Sequence, residues 1–391
     1  MSVKDKIKQL KDKINRDKRF GEGTILTAAE AAALKVQRFS TGILDLDIGT
    51  GGGYPEGRIT IFVGHESAGK STACYIGAYQ YLLKYPNGVV LIIDTEYSVT
   101  PKYLVDVGFT QDMIERTLIV FPDSGEQAGD VMIEVLSLIE GDDNCLAIVD
   151  SIASMSPTAE IEESMDHQGM GLQARLMNKF FRKLLPVMKQ QLDMKNPKTT
   201  VFMVNQIREK IGVMYGNPET EPAGRGQKFY ASMKIQFRSG GFIKDGKQPV
   251  GINVHFNVKK NKVGGTQGSV GEFAFYFRDY GNFTCGDIDN CTALRTHGVL
   301  CGIVEQGGKW YHYDGEKYNG GERFDTMLRD RPEVAEDIHR HILQHYGYID
   351  ADKKEAKPKQ SKKKSPTGRS FGKKARGKKK TQQRRTTRSK G

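Results

Sequence analysis

Four runs along the chain are apolar, rich in β-branched residues and free of polar alternation: RITIFVG (58–64), GVVLIIDTE (88–96), CLAIVDSI (145–152) and TTVFMVNQI (199–207). Strands buried on both faces of a parallel sheet have this composition. Helical periodicity separates them, most clearly from Leu172 through Leu176, Phe180, Leu184 and Met188 to Leu192. Alternating strands and helices predict a parallel sheet with right-handed crossovers. From about residue 226 the period changes. KFYASMKIQFRS, GINVHFNVKKNK and GEFAFYFRDYG alternate apolar and polar positions between Gly-rich turns, which predicts short antiparallel strands added to the sheet. Residues 3–17 read as a helix with Ile7, Leu10 and Ile14 on one face. So narrow a stripe needs another surface, either the chain's own core or a neighbouring subunit. After Cys285 a compact mixed segment ends in helical PEVAEDIHRHILQHYG, and no internal repeat is evident.

Composition adds three constraints. No run approaches 18 uninterrupted apolar residues, so no membrane span or membrane partner is expected. The five cysteines lack a C-x-x-C pair and read as reduced cytosolic thiols rather than a zinc site. The formal charge of +12 is unevenly placed: residues 353–391 hold 13 Lys and 5 Arg against Glu355, giving +17, so the rest carries 12 − 17 = −5. An acidic body with a basic tail, read as disordered, implies a polyanion nearby, nucleic acid foremost; the bland alternative is a solubilising tail.

The most specific local chemistry is GHESAGKS (64–71), which follows the apolar run ITIFV and fits G-x-x-x-x-G-K-[ST]. Gly64, His65, Glu66, Ser67, Ala68 and Gly69 would turn their N–H groups onto phosphate oxygens, with Lys70 reaching the β- and γ-phosphates, Ser71 binding Mg²⁺ and Thr72 following on the helix. Asp150, at the carboxyl end of its strand, could hold the Mg²⁺ water shell or merely cap the next segment. Glu96 lies one strand away and could activate the attacking water; Asp94 is set aside as facing the other side by strand alternation. Gln206 could contact the γ-phosphate or make an ordinary strand-end hydrogen bond. Two polar, Gly-rich segments, AEIEESMDHQGMG (159–171) and REKIGVMYGNPETEPAGRG (208–226), lie beside strand ends. They are either variable surface loops or loops that place apolar wedges and cations on a nucleic acid.

Taken together these residues resemble the bacterial RecA recombinase family. GHESAGKST resembles its P-loop, MGLQARLMNKFFRKL its first DNA-binding loop and following helix, NQIREKIGVMYGNPETEPAGRGQKFYAS its second, and VKKNKVG a later strand. FSTGILDLDIGTGGGYPEGR and GGKWYHYDGEKY also match, so the similarity runs over about residues 5–347. The resemblance implies an α/β fold with a RecA-like P-loop ATPase core and a mixed, mostly parallel sheet over 36–285, with DNA-binding loops at about 159–171 and 207–226. An N-terminal helical oligomerisation arm (1–35), a small α/β C-terminal domain (286–349) and the tail (350–391) complete it. It further implies a homo-oligomeric filament on single-stranded DNA that hydrolyses ATP with Mg²⁺ and exchanges strands with double-stranded DNA. In that correspondence Glu96 activates water, Lys70 and Ser71 bind nucleotide and metal, Asp150 supports the metal, Gln206 senses the γ-phosphate and Tyr103 stacks on adenine. Lys260 and Lys262 reach the neighbour's ATP, although residue chemistry alone reads them as solvated charge, and Phe229 lies in the same interface. Met170, Arg175, Asn178, Arg182, Arg208, Lys210, Ile211, Gly224 and Arg225 line the DNA path. Mediator or repressor proteins are further candidate partners, in the cytoplasm of a bacterium or of a virus-infected host. Three departures stand out: His65 where the family has Pro, Thr100 where an Asp often contacts adenine, and a basic tail where an acidic one is usual. Two other classes remain open at this level, a ring helicase and a non-catalytic, ATP-switched DNA-coating protein.

Overall fold

A computed structural model describes residues 2–17, 19, 25–33, 36–139, 143–162, 171–190, 199–209, 219–222 and 226–349. Nine strands form the central sheet: β1 (Ile59–Gly64), β2 (Val89–Asp94), β3 (Thr117–Val120), β4 (Cys145–Asp150), β5 (Thr199–Gln206), β6 (Met233–Asp245), β7 (Gln248–Asn261), β8 (Val270–Tyr276) and β9 (Ile288–Asp289). Their order is β9-β8-β7-β6-β1-β5-β4-β2-β3. The pairs from β6–β1 to β2–β3 are parallel, and those from β9 to β6 antiparallel. The mixed, mostly parallel core is therefore as expected, with two refinements. The edge strand β3 had no apolar run to announce it, because it is four residues long and leaves Leu118 exposed. The stretch KFYAS is not strand: Gln227–Tyr230 is a helical turn, and β6 begins at Met233.

The β-branched interiors of β1, β2, β4 and β5 are buried on both faces, as a sheet covered on both sides requires. On one face the P-loop helix α1 (Lys70–Lys84) packs Ala73, Ile76, Tyr81 and Leu82 against Phe62, Ile92 and Phe202. On the other, α2 (Gly125–Ser137) and α3 (Leu172–Gln190) cover Ile61, Leu91 and Ala147. The periodicity of α3 buries Leu176, Phe180, Leu184 and Met188, joined by Met177 and Phe181, each worth about 1.5–3 kcal/mol relative to exposure. Leu172 is only half-buried, and Leu192 lies outside the described residues.

At the amino end, helix Val3–Asn15 starts in a capping box, Ser2 with Asp5. Of its stripe, Ile7 and Leu10 are exposed and Ile14 is half-buried. Beyond β9, helices Cys291–Leu300, Gly321–Asp330 and Pro332–His345 and a three-stranded sheet gather Leu294, Phe324, Ile338 and Ile342 into a separate apolar cluster. Among the described residues no helix is long and apolar enough to cross a membrane. The tail expected at 350–391 lies outside the described residues.

Candidate functional site

The carboxyl ends of β1, β2, β4 and β5 converge, as parallel register demands: Gly64 pairs with Gln206 and Asp94 with Asp150. The loop from His65 to Gly69 leaves β1 here and delivers Lys70 to the first turn of α1. Gly69 has φ +83° and is left-handed, and a Cβ there would come 2.9 Å from Val254 Cγ2, so the loop requires glycine on both counts. Lys70 is 7% exposed and donates to the His65 carbonyl at 2.5 Å. That acceptor is backbone, so the departure from Pro at 65 leaves the lysine's seat unchanged. Burial pushes the Lys70 ammonium down, opposed by Asp150, Glu96 and Glu66.

Asp150 is buried where α1 begins. Tyr75 Oη donates to its Oδ2 at 2.9 Å, and the Ser71 hydroxyl donates to the same carboxylate. Burial nevertheless pushes its acidity toward the neutral form. The capping alternative is not what the carboxylate does. Ser71 and Asp150 sit together as a Mg²⁺ site of this type needs, a hydroxyl for the metal and a carboxylate for its waters. Thr72 Oγ1 and Tyr103 Oη lie 2.8 Å apart. Thr100 caps the helix that carries Tyr103, accepting from its N–H at 3.2 Å, so the second departure has a structural use.

Glu96 is exposed at the same crevice. Its Oε1 accepts from Ser151 Oγ at 2.6 Å, Ser154 Oγ at 3.1 Å and Gln206 Nε2 at 3.1 Å. Strand alternation does not separate it from Asp94, because residues two apart share a face. The strand ends at Asp94 instead. Its buried carboxylate accepts from Glu96 N at 3.1 Å and Val99 N at 2.9 Å, turning the backbone so that Glu96 projects outward. Tyr75 and Ser154 carry no signal in the sequence, and Ser151 reads there only as a possible cap beside Asp150.

Arg175, Asn178 and Arg182 follow one another at helical spacing along α3 and are exposed. Arg182 Nε bonds the Asn178 carbonyl at 3.3 Å, and Asn178 Oδ1 lies where a Cβ on Gly226 would come within 2.2 Å. Gln173, also unread, anchors the start of α3 by donating to the Ala153 carbonyl at 2.8 Å. Arg208 is exposed just past β5. Met170, Lys210, Ile211, Gly224 and Arg225 lie outside the described residues. Asn205 and Gln227 close the base of the second loop, Asn205 Nδ2 donating to Gln227 Oε1 at 2.9 Å.

Lys260 and Lys262 are not part of this crevice. Lys260 pairs with Lys234 across β7–β6, and Lys234 with Ile61 across β6–β1. Ile61 lies three residues before Gly64, so the lysines sit about 10 Å back along the strand and two strands aside, about 14 Å in all. Lys260 Nζ bonds the Lys228 carbonyl, and Lys262 Nζ the Phe229 carbonyl at 3.3 Å. Phe229 itself is 75% exposed.

Comparison with known proteins identifies the family. Residues 6–277 match the family model described as the RecA N-terminal domain. The chain belongs to the RecA family. It is 37% identical over 331 residues to the RecA protein of Thermus aquaticus, covering 84% of this chain and 91% of that one. The RecA protein of Streptococcus mutans is 36% identical over 349 residues, 88% of this chain and 85% of that one. That of Streptococcus sanguinis is 38% identical over 344 residues, 86% and 84%. RecA membership favours neither the ring helicase nor the passive coating protein.

Proposed function

We propose that this RecA-family recombinase polymerises on single-stranded DNA with ATP between adjacent protomers, pairs that strand with a homologous duplex and exchanges strands, hydrolysing ATP as it does so. The single observation behind the chemistry is the contact of Glu96 with Gln206, which ties the water-activating carboxylate to the stem of the second loop. Lys70 and the loop N–H groups hold the phosphates; Ser71 and Asp150 hold Mg²⁺, which when bound neutralises phosphate charge. Tyr103 lies beside the base. Glu96 takes a proton from water as its oxygen attacks the γ-phosphorus and ADP departs with the bridging oxygen. Gln206, drawn to the γ-phosphate, leaves Glu96 and shifts the loop that begins at residue 207. Arg175, Asn178, Arg182 and Arg208, with Met170, Lys210, Ile211, Gly224 and Arg225, grip the DNA backbone, while base pairing reads homology. The same assignment puts the protein in the cytoplasm, with the helix Val3–Asn15 serving as the oligomerisation arm. A strand-exchange assay with circular single strand, linear duplex and ATP tests the whole: joint molecules are expected with homologous duplex only. Equal yield with heterologous duplex sinks it.

Lys260 and Lys262 act in trans, since their own P-loop is out of reach. Burial and Lys262 push the Lys260 ammonium down to about 8. A phosphate needs the charged form, so above about pH 8 a free protomer must take up a proton to assemble. ATP-dependent assembly on an oligothymidylate therefore weakens as pH rises beyond about 8, by up to tenfold per unit for one site. A midpoint independent of pH between 7 and 10 (roughly the span of a lysine titration) contradicts this.

The basic tail supplies further cations for DNA phosphates. Deleting residues 353–391 removes a net +17 and flattens the slope of log affinity against log salt by about 0.7–0.9 for each phosphate the tail neutralises. An unchanged slope takes the tail out of DNA binding.

A further inference from the structure

Tyr75 reaches the nucleotide crevice but has no part in the chemistry described above. It lies four residues after Ser71 on α1, so the two side chains share a helical face, and both donate to Asp150. Tyr75 Oη stands 2.9 Å from Asp150 Oδ2, and both residues are 2% exposed. A buried tyrosine usually directs its hydroxyl at a partner, and here the partner is a carboxylate. The ring is braced as well: Tyr103 meets it edge-on, centroids 5.9 Å apart and planes at 82°. The direction of the hydroxyl is therefore built into the core.

Asp150 needs such a donor. Asp94 pairs with it in register across β2–β4, and Asp94 and Glu96 both repel its charge. Lys70 and Ser71 offset that repulsion. In the reading above, however, both have a second task, Lys70 at the phosphates and Ser71 at the metal. Tyr75 has none: among the described residues its hydroxyl bonds Asp150 alone. It is the donor that stays with the carboxylate when nucleotide and metal draw on the other two.

We propose that Tyr75 is a positioning residue: its hydroxyl holds Asp150 Oδ2, so that the carboxylate keeps its other oxygen for the Mg²⁺ water shell. The inference rests on the Mg²⁺ reading above and deepens it. A carboxylate already held by a fixed donor gives up little orientational freedom when the metal arrives. Removing an outer donor of this kind typically costs about 10–100-fold in metal affinity. The effect is confined to the metal, because nucleotide held without Mg²⁺ makes no demand on Asp150.

The test titrates Mg²⁺ into the full chain with a fluorescent ATP analogue and follows Mn²⁺ binding in parallel by electron paramagnetic resonance. Tyr75→Phe keeps the ring and its contact with Tyr103 but removes the donor. Its Mg²⁺ and Mn²⁺ midpoints should rise by about 10–100-fold, while analogue binding in excess chelator stays at the wild-type level. Midpoints equal to those of the wild type overturn the proposal and leave the Mg²⁺ reading standing. A wild-type protein that binds the analogue equally with and without metal, and holds no Mn²⁺, overturns both. Analogue binding that is already weakened in chelator makes Tyr75 a packing residue and also overturns the proposal. Asp150→Ala gives an independent reading through coupling. It should raise the midpoint at least as far as Tyr75→Phe, and adding Tyr75→Phe to it should raise it no further, because the hydroxyl then has no carboxylate to hold. Strictly multiplicative effects place the action of Tyr75 elsewhere than Asp150 and count against it.

Discussion

Glu96→Gln is expected to retain nucleotide binding and filament assembly while losing about 10²–10⁴ of the DNA-stimulated hydrolysis rate. The amide keeps an acceptor oxygen for the Ser151 and Ser154 hydroxyls, so the local frame survives. It cannot take a proton from water, and the two buried carboxylates at this crevice are occupied. Asp94 holds the turn, and Asp150 faces Ser71 and Tyr75. Single-turnover release of phosphate at saturating ATP and oligonucleotide reads the chemical step directly. A normal rate in the variant would remove Glu96 from the reaction and reopen the passive coating protein as a reading.

The second large effect concerns Lys260 and Lys262. Changing both to Ala should leave nucleotide binding by the isolated protomer near normal and lower DNA-stimulated turnover by about 10³–10⁵, the range seen for cations supplied in trans to phosphoryl transfer. Mixing supplies the sharper check. A Lys70→Ala protein has intact trans lysines but a disabled P-loop; combined with the double-lysine variant it should restore part of the activity, because some interfaces then pair a working P-loop with working lysines. Failure to complement, with mixed filaments visible, would place the lysines' action within their own subunit, against the strand register of Lys260, Lys234 and Ile61.

Much of the core was legible because its signals are contiguous. The apolar runs ending at Gly64, Asp150 and Gln206 became strands with those residues at their carboxyl ends, and the P-loop needed only eight consecutive residues. Glu96 was legible as a candidate for a faulty reason: alternation places it with Asp94, and only the end of the strand parts them. Its hydrogen-bond partners come from two further elements, 55 and 110 residues away, which no local pattern encodes. Tyr75, one turn along the P-loop helix, reads as core until the fold sets it against Asp150. The antiparallel period at 233–276 was clear, but the turn Gln227–Tyr230 was missed. Its alternation of apolar and polar residues matches a strand, while the Lys260 and Lys262 ammonium groups satisfy its carbonyls from outside.

Residue order alone determined a P-loop sequence at the end of a parallel strand, because backbone turn, strand and helix dipole are local properties written in neighbouring residues. Tertiary structure decided which groups share that site and which lie away from it. Hydrogen bonding across strands sets distances that sequence separation does not: it draws Gln206 to Glu96 and holds Lys260 and Lys262 beyond the reach of their own P-loop.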